Sequence, residues 1–208
     1  SIARFLIVGA IALCAAMPVL VILCRSRIQI RQLRWMVLII FFLASVLPSI
    51  GKTIIRLTKG PEHAVLDSVI QVEVAADMLA QGRNPYTTEY FGTNLERWYG
   101  HPYRHALYHL AYLPLPVLIT VPIQEGCRAL FGLYDSRFLL LPVWVASFLI
   151  CWRRWRNFAW GTALLVAVFL NPTMVHDSLV GRWHILSLFF WVLAMDLAVR
   201  RRFLWMGF

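Results

Sequence analysis

Leu110-Ala111-Tyr112-Leu113-Pro114-Leu115-Pro116-Val117-Leu118-Ile119-Thr120-Val121-Pro122-Ile123 is the stretch on which the membrane topology turns. It is apolar, but short for a bilayer core ~30 Å thick, which takes roughly 20 apolar residues per helix. Pro114, Pro116 and Pro122 interrupt it. Irregular backbone is tolerated at membrane depth only where protein or water satisfies its polar groups. Residues 110–123 therefore read as a re-entrant or interfacial segment and not as a full crossing.

Five other blocks read as spans, at about residues 2–24, 35–50, 138–152, 158–175 and 183–199. Composition agrees: 60% of the 208 residues are hydrophobic and 14% charged, against about 45–50% and about 25% in soluble domains. The first block is followed by its Arg cluster, the reverse of the order in a cleavable secretory signal.

Three Arg clusters flank these blocks: Arg25, Arg27, Arg31 and Arg34; Arg153, Arg154 and Arg156; and Arg200, Arg201 and Arg202. Positive residues favour the cytoplasmic side. All three clusters fall inside only if residues 110–123 do not cross. Residues 51–137 then form one long external loop and residues 171–182 a short one. All six histidines, and every acidic residue except Asp196, lie in these loops or at their borders. The expected fold is all-α: a polytopic transmembrane helix bundle forming a single membrane domain over residues 1–208. The expected location is a bacterial cytoplasmic membrane with the active face outside, in contact with membrane lipid.

The net charge of +10 rests on arginines at the ends of apolar blocks; only Lys52 and Lys59 are lysines. That placement is a topology signal, so no nucleic-acid partner is expected. Cys14, Cys24, Cys127 and Cys151 have no metal-ligand spacing and read as buried thiols more readily than as disulfides.

Within the long loop, Pro61 and Glu62 suit a helix start and Gly82 a helix stop. Val65, Val69, Val72, Ala76 and Leu79 recur at helical spacing. Residues 66–81 thus read as an amphipathic juxtamembrane helix lying on the membrane surface with an acidic polar face. Arg83-Asn84-Pro85-Tyr86 is a turn. An aromatic and basic stretch follows, with Trp98, Tyr99, His101, Tyr103, Arg104, His105, Tyr108 and His109.

Asp67, Gln71, Leu79 and Gly82-Arg83-Asn84-Pro85-Tyr86, followed by Tyr108 and Tyr112-Leu113-Pro114-Leu115, resemble the first external loop of GT-C superfamily glycosyltransferases. The likeness is greatest to alpha-mannosyltransferase-like bacterial membrane families that take a sugar from a polyprenyl-phosphate carrier. It continues through Asn171-Pro172 and Gly181-Arg182-Trp183 and covers roughly residue 35 to the end. The family often has a polar or acidic residue three after the glycine, where this chain has His184. The resemblance implies an inverting transfer of a hexose such as mannose from a polyprenyl-phosphate sugar donor to a glycan, lipid or protein acceptor. Its early loop acid, the catalytic or metal-binding residue, matches Asp67, and a second acid in the next external loop matches Asp177. Family members carry more helices, so the resemblance also implies that this chain is either an N-terminal portion, truncated at its C-terminus, or a divergent short form.

Each candidate has a plainer reading. Asp67 and Asp177 are also suitable helix caps. Glu73 and Asp77, spaced i,i+4, read as a solvated helix face. His101, His105 and His109 would share one face of a helix, which makes His101 and His105 candidates for a divalent cation, beside Asp67, for which the resemblance implies a metal-binding role; interfacial packing with phosphate contacts is the plainer reading of the histidines. Arg83, Arg104 and Arg182, with Tyr86 and His105, are candidates for binding the carrier phosphate, since Arg pairs with phosphate in bidentate fashion. For the outward arginines, lipid headgroups are the alternative. Two other functions remain open: a non-catalytic membrane scaffold of the same ancestry, or a transporter. The scarcity of charge at the middle of the spans counts against transport.

Overall fold

The computed structural model describes residues 8–9, 30–100, 105–155 and 160–200. The expected first span, residues 2–24, lies almost wholly outside them. Every regular element among the described residues is a helix.

Helix α1 (Ile30–Phe41) runs through a π-helical stretch (Phe42–Val46) into α2 (Leu47–Lys59). Pro48 explains the widened turn. It has no N–H to continue the ladder, and a local π turn absorbs the missing bond. There the Leu47 N–H reaches Phe42 O, and Ala44 and Ser45 both become buried. The helix from Gln32 to Lys59 is 28 residues long and apolar enough to cross a membrane. It extends nine residues beyond the expected end at Ile50, because Lys52 and Arg56 are buried within the fold. Ile39, Leu43, Leu47, Ile50, Ile54 and Leu57 stay more than 40% exposed along one stripe. A contiguous apolar stripe of that length suits lipid contact.

The remaining helices are α3 (Asp67–Ala80), α4 (Asn94–Tyr99), α5 (Pro114–Phe131), α6 (Arg137–Trp155), α7 (Gly161–Phe169), α8 (Pro172–Val180) and α9 (His184–Val199). Helix α6 is the second element long and apolar enough to span a membrane. The α7–α8 pair, bent by 47°, is a third if taken as one broken span, and α9 is apolar but shorter. Residues 171–182, expected as a loop, hold α8; Asn171 starts it by accepting the Thr173 N–H at 2.9 Å.

The chain divides into two compact units. The first comprises residues up to Gly51, Leu141–Leu179 and His184 onward. Its core stacks Phe41 on Phe148, centroids 4.0 Å apart, with Phe169 edge-on to both and Trp144 beside it. A polar thread crosses this core: the Trp144 Nε1–H donates to Ser45 Oγ at 2.7 Å, and the Ser45 and Ser178 hydroxyls are 2.7 Å apart. Burying these polar atoms is tolerable because they satisfy one another.

The second unit comprises Lys52–Leu140 and Val180–Trp183. Helix α3 is its central element, packed by α4 and α5. Val69 to Ala76 are all buried, Gln71 and Glu73 included. The expected surface helix with a solvated acidic face is therefore a buried helix, since its polar side chains find partners inside the unit. It ends where Gly82 takes a positive φ of 74° and the Arg83 N–H bonds back to Met78 O at 2.8 Å. The prolines expected to make 110–123 irregular do otherwise. Pro114 and Pro116 sit in the first turn of α5, where a missing N–H costs no helical bond, and the helix continues past Pro122 to Phe131.

Candidate functional site

Asp67 is the first residue of α3, and Leu66 takes the cap position without a side-chain bond. One Asp67 oxygen accepts the Ser68 N–H at 2.7 Å and the other accepts the Tyr99 hydroxyl at 2.5 Å. The carboxylate is half-buried. Tyr99 is held in place by α4, which Thr93 caps by accepting from the Leu95 N–H, and by the Trp98 indole, which donates to Val65 O at 3.2 Å. So Asp67 combines a modest helix-end role with a fixed phenol partner.

The segment beyond α4 is tied to the middle of α3 by Gln71, whose Nε2 donates to Ala106 O and His109 O at 2.8 and 2.9 Å. His105 opens a short 3-10 turn, His105–Leu107, and is exposed. His109 lies past that turn, so no single helix carries the expected histidine face. His101 and Arg104 lie outside the described residues. Among the described residues no group of three or more His, Cys, Asp or Glu side chains could hold a metal ion.

Arg83 and Tyr86 stand at the other end of α3. Leu79, Gly82–Tyr86, Pro114, Val117 and Leu118 line a mainly apolar groove of about 300 Å³. The Tyr86 hydroxyl donates to Tyr112 O at 2.9 Å, joining the two sequence stretches that carried the family resemblance. Exposed Arg83 donates to Gln81 Oε1 at 2.9 Å. Buried Tyr90 donates to Pro85 O at 2.9 Å, and desolvation, helped by Tyr86, pushes its phenol up to about 12. From Asp67 to Leu79 is twelve residues, roughly 18 Å at 1.5 Å per residue. Asp67 is therefore not brought together with Arg83 and Tyr86.

A buried ion network, which sequence reasoning missed, lies between those ends. Arg56 grips Glu73 with two bonds, Nη1 to Oε1 at 2.9 Å and Nη2 to Oε2 at 2.5 Å. It also lies 3.3 Å from Asp135. Asp135 is bound through both oxygens by Arg137, and Glu73 Oε1 accepts the Ser136 N–H and Oγ–H at 2.9 and 2.7 Å. Burial alone would raise the Asp135 carboxyl; the Arg137 bonds and charge, with Arg56, hold it below the usual range instead. Glu73, read from sequence as solvated, is the hub. The available signal was the placement of Arg56, Asp135 and Arg137 beside apolar blocks, where a charge needs a partner. Asp77 is bound by Arg128 and by Gln124 Nε2 at 2.6 Å.

In the first unit, Asp177 lies inside α8 and not at its start. It is buried, with His184 Nε2 at 3.2 Å and His176 Nδ1 at 3.6 Å. Arg182, in the second unit, is half-buried.

No protein-family model matches the chain, and no curated protein or solved structure matches it either.

Proposed function

We propose that this chain is a membrane-bound glycosyltransferase, or part of one, that moves a sugar from a polyprenyl phosphate to an acceptor hydroxyl with Asp67 as general base. In this reading Asp67 takes the acceptor proton and the acceptor oxygen attacks the anomeric carbon. The bond from that carbon to the phosphate oxygen breaks, and polyprenyl phosphate leaves with inversion. The observation that carries the reading is the Asp67–Tyr99 pair. The carboxylate is half-buried, oriented by a phenol, and not used up in a helix cap. The apolar groove at the far end of α3 suits the isoprenoid tail. Its separation from Asp67, roughly 18 Å, is shorter than an extended polyprenyl chain. Arg83 accordingly belongs beside the tail and does not share the reacting phosphate with Asp67.

The test is transfer from a polyprenyl-phosphate sugar in membranes carrying the complete protein. Asp67→Asn keeps shape and helix-end bonding but cannot take a proton, so transfer should fall by about a hundred- to ten-thousand-fold with normal expression. Near-normal transfer by the Asn variant would remove Asp67 from the chemistry. Absence of transfer by the wild type across a panel of donors would favour the scaffold reading.

A further inference from the structure

We propose that the groove between α6, α7 and α9 binds an anionic glycerophospholipid, taking one acyl chain along its apolar wall and the phosphate on its arginines. The groove encloses about 630 Å³ and is lined by Trp155, Val168, Trp191, Met195 and Val199 among others. Trp191, Met195 and Val199 stand one turn apart on α9 and are 71%, 62% and 70% exposed. The groove shares Ile150, Arg153, Arg154 and Asp196 with an adjoining polar space of about 460 Å³, which Arg200 also lines.

The charges in that space are unbalanced. Asp196 is buried and takes the Nε of Arg154 on one oxygen and the Nε of Arg200 on the other, the latter at 2.7 Å. The terminal guanidinium nitrogens of both arginines make no hydrogen bond among the described residues. Arg153, exposed, makes no hydrogen bond or ion pair there. Three cations thus face one carboxylate, and the excess lies where an apolar trough meets a polar mouth. That combination matches an acyl chain joined to a phosphodiester. It disfavours a zwitterionic headgroup, whose ammonium the arginines repel. Basic clusters at the membrane end of helices attract anionic lipid headgroups for the same reason.

The experiment is native mass spectrometry of the full chain in detergent, offered equal amounts of phosphatidylglycerol and phosphatidylcholine. The wild type should carry phosphatidylglycerol preferentially. Each arginine near an anionic headgroup contributes roughly fivefold in affinity, so R153Q/R200Q should lose roughly 30-fold while Arg154 keeps its pair with Asp196. Arg153→Gln alone, which breaks no internal bond, should lose part of that. Met195→Trp fills the trough without touching charge and should also weaken binding. Equal retention of the two lipids overturns the proposal, as does undiminished binding by the double variant or by Met195→Trp. Displacement of phosphatidylglycerol by an equimolar polyprenyl phosphate would overturn it in favour of the carrier.

Discussion

Replacing Glu73 by glutamine is the sharpest perturbation of the second unit. The amide can keep a carbonyl where Oε1 stands, so both Ser136 donors and Arg56 Nη1 retain an acceptor. The other end then presents an NH2 to Arg56 Nη2, donor against donor, where a bond of 2.5 Å stood. For a charged partner Arg56 is left with Asp135, which Arg137 already engages. Removing one partner of a buried pair costs about 3–5 kcal/mol. The surviving Asp135 contact argues for the lower end, near 3 kcal/mol in that range. For a chain of this size that is a fall of roughly 6–12 °C in melting temperature. Thermal unfolding of the detergent-purified chain measures it. The companion variant R56M/E73L removes both charges and should recover part of the loss, because apolar groups of similar volume replace a buried pair at little cost. If Glu73→Gln melts with the wild type, the network is not closed and Glu73 is the solvated residue its sequence spacing suggested.

The Tyr90 phenol, raised to about 12 by burial, favours the folded state while protonated. Its contribution is complete below the ordinary tyrosine value near pH 10 and is lost as pH rises towards 12. Alkaline unfolding should therefore steepen in that window, and Tyr90→Phe should flatten it. An unchanged profile in the Phe variant would place the effect elsewhere. For topology, single cysteines at exposed Thr87 and Thr173, in a background without native cysteines, should react with an impermeant reagent from outside, and one at Ser26 should not. The reverse pattern would invert the membrane orientation.

The bounds of α3 were legible because its signals are local: Pro61 and Glu62 before it, Gly82 after it, and valines at helical spacing between. Its surroundings were not. Glu73 and Asp77 four residues apart give the same wheel whether they meet water or arginines, and their partners Arg56, Asp135 and Arg128 come from other elements. The prolines of 110–123 misled for a related reason. Pro114 and Pro116 stand in the first turn, where a proline fits, and only the location of that start separates this from an interior break; Pro122 lies inside the helix, which continues past it. Ser178, within the 171–182 segment that the topology made an external loop, is buried in α8 against Ser45, more than a hundred residues away in sequence. The part of the Asp67 corner that sequence missed is Tyr99, which reaches Asp67 only through the placement of α4.

The length of α3 bears on how the proposed transfer divides its labour. The helix contains no proline or glycine, and eight successive residues, Val69 to Ala76, are buried. A kink needs one of those residues or an inserted group, and the Arg56–Glu73 pair pins the midpoint. The separation between Asp67 and the groove is thus fixed. In the proposed transfer, groove residues would act on carrier binding and Asp67 on the acceptor proton. Arg83→Gln and Leu118→Trp, which change two residues lining the groove, should raise KM for the polyprenyl donor and leave kcat near the wild-type value. Asp67→Asn should do the opposite, because loss of an interaction made only in the transition state appears in kcat. Steady-state transfer at varied donor concentration separates the two patterns. A fall in kcat for Arg83→Gln as deep as that for Asp67→Asn would mean that the arginine reaches the reacting phosphate, and the fixed span assigned to α3 would be wrong.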